Sequence, residues 1–135
     1  MQAVDTNVVV RLLVEDDPIQ SQQAIALWQK LLVREGVYLS KIVIVETIWV
    51  LQRSYQFNRS QIVEVINLMM HTKGVNVEDA DQIKAALKQF AIEKADFSDF
   101  VIVESARSTR ALPLHTFDKK LSDSPDTQLV SMESL

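Results

Sequence analysis

Residues 42–51 read IVIVETIWVL, and nine of these ten residues are apolar or threonine. The run is too long for a typical strand, so we predict a helix that continues through Gln52. Its one charged residue is Glu46, in the middle of the run. A carboxylate is costly to remove from water unless it is paired, neutralised or bound to a metal. We therefore expect Glu46 to reach solvent, to pair with Lys41 or Arg53, or to face a metal ion.

Strands and helices alternate on both sides of this helix. The predicted strands are Gln2–Asp5, Val37–Ser40, Val75–Val77, Pro113–Phe117 and Gln128–Met132. The other predicted helices are 18–35 after the N-cap Asp17, one beginning at Ser60, one from the N-cap Asp79 to about Lys94, Phe97–Ser108, and a short turn before the last strand. Gly36 and Gly74, the only glycines, fall where a helix ends before a strand. This alternation predicts an α/β fold with a parallel sheet between layers of helices.

Composition indicates one ordinary globular domain. The 135 residues, of which 47% are hydrophobic and 24% charged, suit a single core. The absence of cysteine excludes a disulfide scaffold and thiolate metal sites. The N-terminus lacks the features of a secretory signal, and no apolar run reaches the length of a membrane span. We expect a cytoplasmic protein that does not bind membranes.

Two aspartates follow predicted strands. Asp5 comes after Ala3 and Val4, and Asp118 holds the same position after the fourth strand. Ligands of parallel sheets bind beyond the carboxyl ends of the strands, which favours a functional role. Each aspartate can equally be the N-cap of the helix that follows.

A second acidic pair lies at the start of the Phe97 helix. Asp96 fits an N-cap, with Asp99 at the third helical position. Asp99 also precedes the apolar Ile102 and Val103 by three and four residues, so it borders an apolar face. Capping explains Asp96 better than it explains Asp99.

Carboxylates grouped without histidine or cysteine are the ligand set of Mg²⁺ or Mn²⁺. His71 and His115 lack metal-ligand spacing; we expect His71 near an exposed helix end and His115 in a strand. No Ser-His-Asp motif or glycine-rich phosphate loop is present in the sequence. Taken together, the acidic residues predict a site for a hard divalent cation.

Four segments, in this order, resemble the acidic motifs of PIN-domain ribonucleases. They are VDTNVVVRLL (4–13), VETIWVL (45–51), DFSDFVIVESAR (96–107) and HTFDKKL (115–121). The resemblance implies a PIN-like fold, an α/β/α sandwich with a central parallel sheet, as one nuclease domain over residues 1–135. It also implies cleavage of RNA phosphodiester bonds with one or two Mg²⁺ or Mn²⁺ ions.

The resemblance assigns roles residue by residue. It implies a catalytic, metal-binding quartet of Asp5, Glu46, Asp99 and Asp118, with Asp96 as a fifth metal ligand. It further implies that Thr6 and Asn7 hold the first aspartate and its loop, and that Thr116 supports the last motif. Hydrogen bonding in turns and at strand ends is an equally good explanation for these three polar residues.

Short bacterial members of the family are mostly VapC-like toxins. The resemblance and the chain length therefore imply a toxin of a type II toxin–antitoxin pair, with a small antitoxin partner and a homodimeric state. The apolar helices are expected to form the core, although such helices can also leave patches for a second subunit or an antitoxin helix.

The net charge of −4 argues against a general basic surface for nucleic acid. Without the five acidic residues, however, the count becomes +1, and bound cations would offset the acidic site. Arg11, Lys119 and Lys120 lie close to acidic motifs in the sequence and are candidate phosphate contacts. Ordinary solvated side chains are the alternative for each of them.

Three other functions compete with a toxin nuclease. A receiver domain has similar size and alternation, but it needs an acidic pair at the first strand, where this chain has only Asp5. A PIN-like module that binds without cleaving is disfavoured by the intact acidic set. A housekeeping RNA-processing nuclease is not distinguished from a toxin by the sequence.

Overall fold

The computed structural model describes residues 1–135, except the side chain of Ser134. The chain divides into two compact units, Met1–Ala80 and Asp81–Leu135. None of the helices in the described part of the chain has both the length and the apolar character needed to cross a bilayer.

The first unit is built on a three-stranded parallel sheet. Its elements are β1 (Gln2–Ala3), α1 (Thr6–Leu13), α2 (Pro18–Arg34), β2 (Val37–Leu39), α3 (Lys41–Tyr55), α4 (Arg59–Met70) and β3 (Val75–Val77). The strands are ordered β1-β2-β3, with Gln2 opposite Val37 and Val37 opposite Val75. The predicted parallel pairing is therefore confirmed for the first three strands.

The second unit contains a two-stranded parallel sheet. Its elements are α5 (Ala80–Ile92), α6 (Phe97–Ser108), β4 (Leu114–Thr116), α7 (Lys119–Ser122), β5 (Thr127–Leu129) and a final 3₁₀ turn (Met132–Ser134). Leu114 of β4 lies opposite Thr127 of β5. The last strand therefore lies one to three residues earlier than the predicted Gln128–Met132.

The two glycines adopt the left-handed conformation directly before a strand. Gly36 has φ +86° and Gly74 has φ +93°, a region that residues with a Cβ atom rarely adopt. A Cβ on Gly36 would also lie 3.1 Å from the carbonyl oxygen of Gly74. Gly36 directly follows the C-cap of α2, as predicted, whereas Gly74 lies four residues beyond the end of α4, in the turn before β3.

The N-cap predicted for α5 is wrong. Asp79 has φ +48°, whereas an N-cap residue normally has an extended backbone. Its carboxylate forms a salt bridge with Lys41 Nζ at 2.8 Å instead. The other predicted helices are confirmed, including Phe97–Ser108 at the predicted bounds.

Candidate active site

Asp5 lies between β1 and α1, at the carboxyl end of the first strand. It is the N-cap of α1, and its Oδ1 accepts a hydrogen bond from the Thr6 N–H at 2.7 Å. The side chain is nevertheless exposed. Asp5 therefore combines the capping role with a position at the sheet edge, where ligands of parallel sheets bind.

Glu46 is presented by α3, whose N-cap Ser40 accepts a hydrogen bond from the Val43 N–H at 3.2 Å. Glu46 is exposed, and so are Ile42 and Trp49 on the same side of the helix. An apolar, buried setting for Glu46 is thus ruled out. The carboxylate reaches solvent on a face that is otherwise apolar.

Neither basic residue expected near Glu46 neutralises it. Lys41 is paired with Asp79, and the Arg53 guanidinium carbon lies 5.0 Å from the centre of the Trp49 ring. Glu46 Oε1 accepts a hydrogen bond from the Thr6 hydroxyl at 2.9 Å. Thr6 is itself buried, so it holds Glu46 from a fixed position.

Thr6 therefore connects the two acidic residues, through its backbone N–H to Asp5 and through its hydroxyl to Glu46. Thr6 thus contacts the first aspartate through its backbone, and its hydroxyl contacts Glu46. Both carboxylates open on one cleft of about 490 Å³. The cleft is lined by Asp5, Thr6, Asn7, Val45, Glu46, Trp49 and Val50.

In the second unit, Asp96 and Asp99 share the start of α6. Asp96 is the N-cap, and its backbone N–H donates to Asp99 Oδ2 at 3.2 Å. Asp99 occupies the third helical position, as predicted, and is half-buried. Of its two apolar neighbours, Val103 is buried and Ile102 is exposed.

Burial raises the pKa of the Asp99 carboxyl above its ordinary value. The hydrogen bond from the Asp96 backbone opposes this shift, whereas the charges of the Asp96 and Asp118 carboxylates add to the rise in pKa. Asp99 and Asp118 therefore influence one another although they are 19 positions apart in the sequence. A cation beside them would relieve this repulsion.

Asp118 follows β4 and caps the short helix α7. Its Oδ1 accepts hydrogen bonds from the N–H groups of Lys120 at 2.8 Å and Leu121 at 3.4 Å. The Asp118 N–H donates to the Thr116 hydroxyl at 3.0 Å. Thr116 thus shapes the turn that presents Asp118, one of the two roles anticipated for it.

Comparison with known proteins identifies the family. The family model described as the PIN domain matches residues 3–126. The chain belongs to the PIN domain family. This membership confirms the predicted α/β/α fold class with its parallel strands.

Other comparisons are more distant. The solved structure of VapC20 from Mycobacterium tuberculosis, described as a toxin that cleaves the sarcin-ricin loop, aligns with 94% of this chain and 97% of its own length. The identity is 20% and the TM-score is 0.46, a similarity too remote to decide activity. No curated protein matches the chain.

The PIN domain's acidic side chains have the chemistry of a hard-cation site. Among the described residues, none of the five acids predicted for the site forms a salt bridge. Within each unit taken by itself, the described residues contain no group of three acidic or histidine side chains arranged to hold a metal ion. The first unit provides the pair Asp5 and Glu46, and the second provides Asp96, Asp99 and Asp118.

The three basic residues near the acidic motifs differ in whether their side chains are bound to neighbouring residues. Arg11 is tied to its neighbours, since Nε donates to Gln20 at 2.7 Å and a second nitrogen pairs with Asp16 at 3.2 Å. This arrangement favours an ordinary structural role for Arg11. Lys119 and Lys120 are exposed, as expected for phosphate contacts or for solvated side chains.

Trp49 is a cleft residue that the sequence did not reveal. In the sequence it is one of several apolar residues around Glu46 in an almost wholly apolar helix. It is 57% exposed and lines the cleft that contains both carboxylates. The spacing of Glu46, Trp49 and Arg53 by three and four residues, one side of a helix, was the available signal.

Proposed function

We propose that this PIN domain is a metal-dependent endoribonuclease that cleaves RNA phosphodiester bonds. The observation that carries the proposal is the arrangement of Asp5 and Glu46 around Thr6. Two carboxylates from different elements face one open cleft with no basic partner among the described residues. The family membership makes nuclease chemistry the best explanation of this arrangement.

The donor set fits Mg²⁺ or Mn²⁺. Both cations prefer carboxylate oxygens, and Mg²⁺ is usually held by one or two carboxylates together with water and substrate phosphates. A pair such as Asp5 and Glu46 meets this requirement without a cage of protein ligands. We propose Asp5, Glu46, Asp96, Asp99 and Asp118 as the metal-binding residues, for one or two ions.

The side chains have distinct tasks in this proposal. Thr6 holds the Glu46 carboxylate, while the turn from Thr116 presents Asp118. A bound divalent cation makes a coordinated water more acidic and offsets negative charge on the phosphoryl group. One of the five acidic side chains would orient the attacking water.

We further propose a biological role as the toxin of a VapBC-type pair, acting in the cytoplasm as a homodimer and neutralised by a small antitoxin protein. Membership of the PIN domain family supports this role. So do large apolar side chains that remain exposed in each unit, among them Val33 and Leu68 in the first and Ile92 in the second.

Cleavage of bacterial RNA in the presence of Mn²⁺ tests the enzymatic proposal. Asp5→Asn and Asp99→Asn should each lower the cleavage rate by about 100-fold or more, because each removes a charged ligand while preserving shape. Both variants should keep the wild-type circular dichroism spectrum. Full activity in both variants, or equal wild-type activity with excess EDTA, would contradict the metal mechanism.

Expression in a bacterium tests the toxin role separately. Wild-type protein should arrest growth and produce a discrete RNA cut, and Asp99→Asn should do neither. Co-expression of the small protein encoded next to this gene should restore growth. Cleavage in vitro without growth arrest in the cell would instead favour a housekeeping nuclease.

A further inference from the structure

Trp49 places a large exposed aromatic ring next to the acidic residues. It is 57% exposed and lines the same cleft as Asp5 and Glu46. Trp49 stands one turn after Glu46 on α3, about 5 Å farther along the helix axis. An exposed tryptophan beside paired carboxylates is unusual for a side chain that serves only packing.

Arg53 adds a positive charge to the ring. Its guanidinium carbon lies 5.0 Å from the centre of the Trp49 ring, within the range of a cation–π interaction. Among the described residues, Arg53 has no acidic partner in a salt bridge. The guanidinium is therefore held in place by the ring while its N–H groups stay available to an external acceptor.

The three side chains form a series along one side of α3. Glu46, Trp49 and Arg53 are separated by three and four residues, so Arg53 lies about 10 Å beyond Glu46 along the axis. Along the helix, Glu46 provides a candidate metal ligand, Trp49 an aromatic surface and Arg53 a positive charge. A nucleic acid strand offers matching groups in the same order, namely a phosphate, a base and the next phosphate.

We propose that Trp49 and Arg53 form a binding subsite for single-stranded RNA beside the cleaved phosphate. Trp49 stacks on one nucleobase, and Arg53 contacts the phosphate that follows. Aromatic stacking accepts any base, so this subsite contributes affinity and position more than sequence choice. The inference rests on the proposed ribonuclease function and specifies how its substrate is held.

A protein partner is the competing occupant of this surface. Ile42 helps to distinguish the two, because it is 70% exposed one turn before Glu46 on α3 but does not line the cleft. A partner helix packed along this face would cover Ile42 and Trp49 alike. An RNA strand that enters the cleft contacts Trp49 and continues to Arg53, which lies over the Trp49 ring outside the cleft, but it does not need Ile42. The position of Trp49 in the cleft and the charge of Arg53 favour RNA.

Binding of a single-stranded oligoadenylate tests the proposal without requiring cleavage. Affinity is measured by fluorescence anisotropy in an Asp99→Asn background, in which the RNA is expected to stay intact. A ribose-phosphate chain of equal length without bases is the second probe. In this background, oligoadenylate should bind more tightly than the chain that lacks bases.

Adding Trp49→Ala should weaken oligoadenylate binding by about 5- to 150-fold, the range expected for one stacked base. Binding of the chain without bases should weaken much less, through the lost support of Arg53 alone, so the preference between the two probes disappears. Trp49→Phe should retain part of the preference. Ile42→Ala, the matched loss of an exposed apolar side chain on α3, should leave both affinities unchanged.

Arg53→Gln should act on the charge contribution instead. It should weaken binding of both probes. It should also reduce the magnitude of the slope of log affinity against log salt concentration by about 0.7, the value for one phosphate contact with a single strand. Arg53→Lys should preserve this salt dependence. The variants at positions 49 and 53 thus separate base stacking from phosphate binding.

Three results would overturn the inference. One is that the Asp99→Asn protein binds oligoadenylate no more tightly than the chain without bases. Another is a preference that survives Trp49→Ala. The last is a change of oligomeric state in both Ile42→Ala and Trp49→Ala with no change in RNA affinity, which would assign this face to a protein partner. Failure of the ribonuclease proposal is recognised differently, by absence of cleavage in the otherwise unmodified chain.

Discussion

Thr6 shows how one small residue can organise two carboxylates that are 41 positions apart in the sequence. Its backbone N–H contacts Asp5 and its buried hydroxyl contacts Glu46. The resemblance to the first PIN-domain motif indicated that Thr6 belonged to the site. It could not show which carboxylate the hydroxyl contacts, since that depends on how α1 and α3 pack.

Replacing Thr6 tests whether this contact positions Glu46. Thr6→Ala removes the hydroxyl and should lower kcat/KM for RNA cleavage by about tenfold, the effect of losing one hydrogen bond to a charged group. Thr6→Ser keeps the hydroxyl and should retain most of the activity. The measurement is single-turnover cleavage together with thermal unfolding. Equal activity of the alanine and serine variants would show that the hydroxyl does not matter.

Asp99 provides a prediction about pH. Burial and the neighbouring carboxylates raise the pKa of Asp99 in the folded, metal-free protein. Between the ordinary pKa and this raised pKa, Asp99 is therefore more protonated in the folded protein than in the unfolded chain. The resulting stabilisation is present below the ordinary carboxyl pKa of about 4 and is lost as pH rises through the raised pKa. Asp99→Asn removes this dependence. In EDTA, the Tm of the variant minus the Tm of wild type should therefore increase as pH rises.

The control for this pH experiment is Asp123→Asn, which removes an exposed carboxylate from the same unit. Its Tm should follow the wild-type Tm across the acidic range. Parallel Tm curves for wild type and Asp99→Asn in EDTA would contradict the account of Asp99.

At the scale of elements, α3 shows what an apolar run can and cannot predict. Its length indicated a helix, which the structure confirms as Lys41–Tyr55. Because the sequence is apolar on nearly every side, it did not reveal which face is buried. Packing buries Ile44, Ile48 and Leu51, and leaves Trp49 exposed. The exposed side is the one that carries Glu46.

The N-cap of α3 offers a test of how this helix is held. Ser40→Ala removes the side-chain acceptor for the Val43 N–H and should lower the free energy of unfolding by about 1 kcal/mol. Ser40→Thr preserves an acceptor and should cost much less. Urea unfolding of the three proteins provides the comparison. If alanine and threonine have the same effect, the cap does not stabilise α3.

At the scale of the whole molecule, the alternation of strands and helices was sufficient to predict the fold class. Residues that are close in sequence, such as Asp96 and Asp99, were also placed correctly by local rules of helix capping. The prediction that Asp79 caps α5 was wrong because its partner, Lys41, is 38 positions away. The capping rule considers only the neighbouring N–H groups, and here a distant ion pair accompanies a left-handed backbone.

Titration of Mn²⁺ into the metal-free protein, followed by calorimetry, tests the central claim most directly. The account predicts that wild type binds the ion and that Asp5→Asn, Glu46→Gln, Asp99→Asn and Asp118→Asn each weaken binding by about tenfold or more, as expected when a charged ligand is lost. The exposed-acid variant Asp123→Asn should bind like wild type. Absence of Mn²⁺ binding by the wild-type protein, or wild-type affinity in all four site variants, would contradict the account.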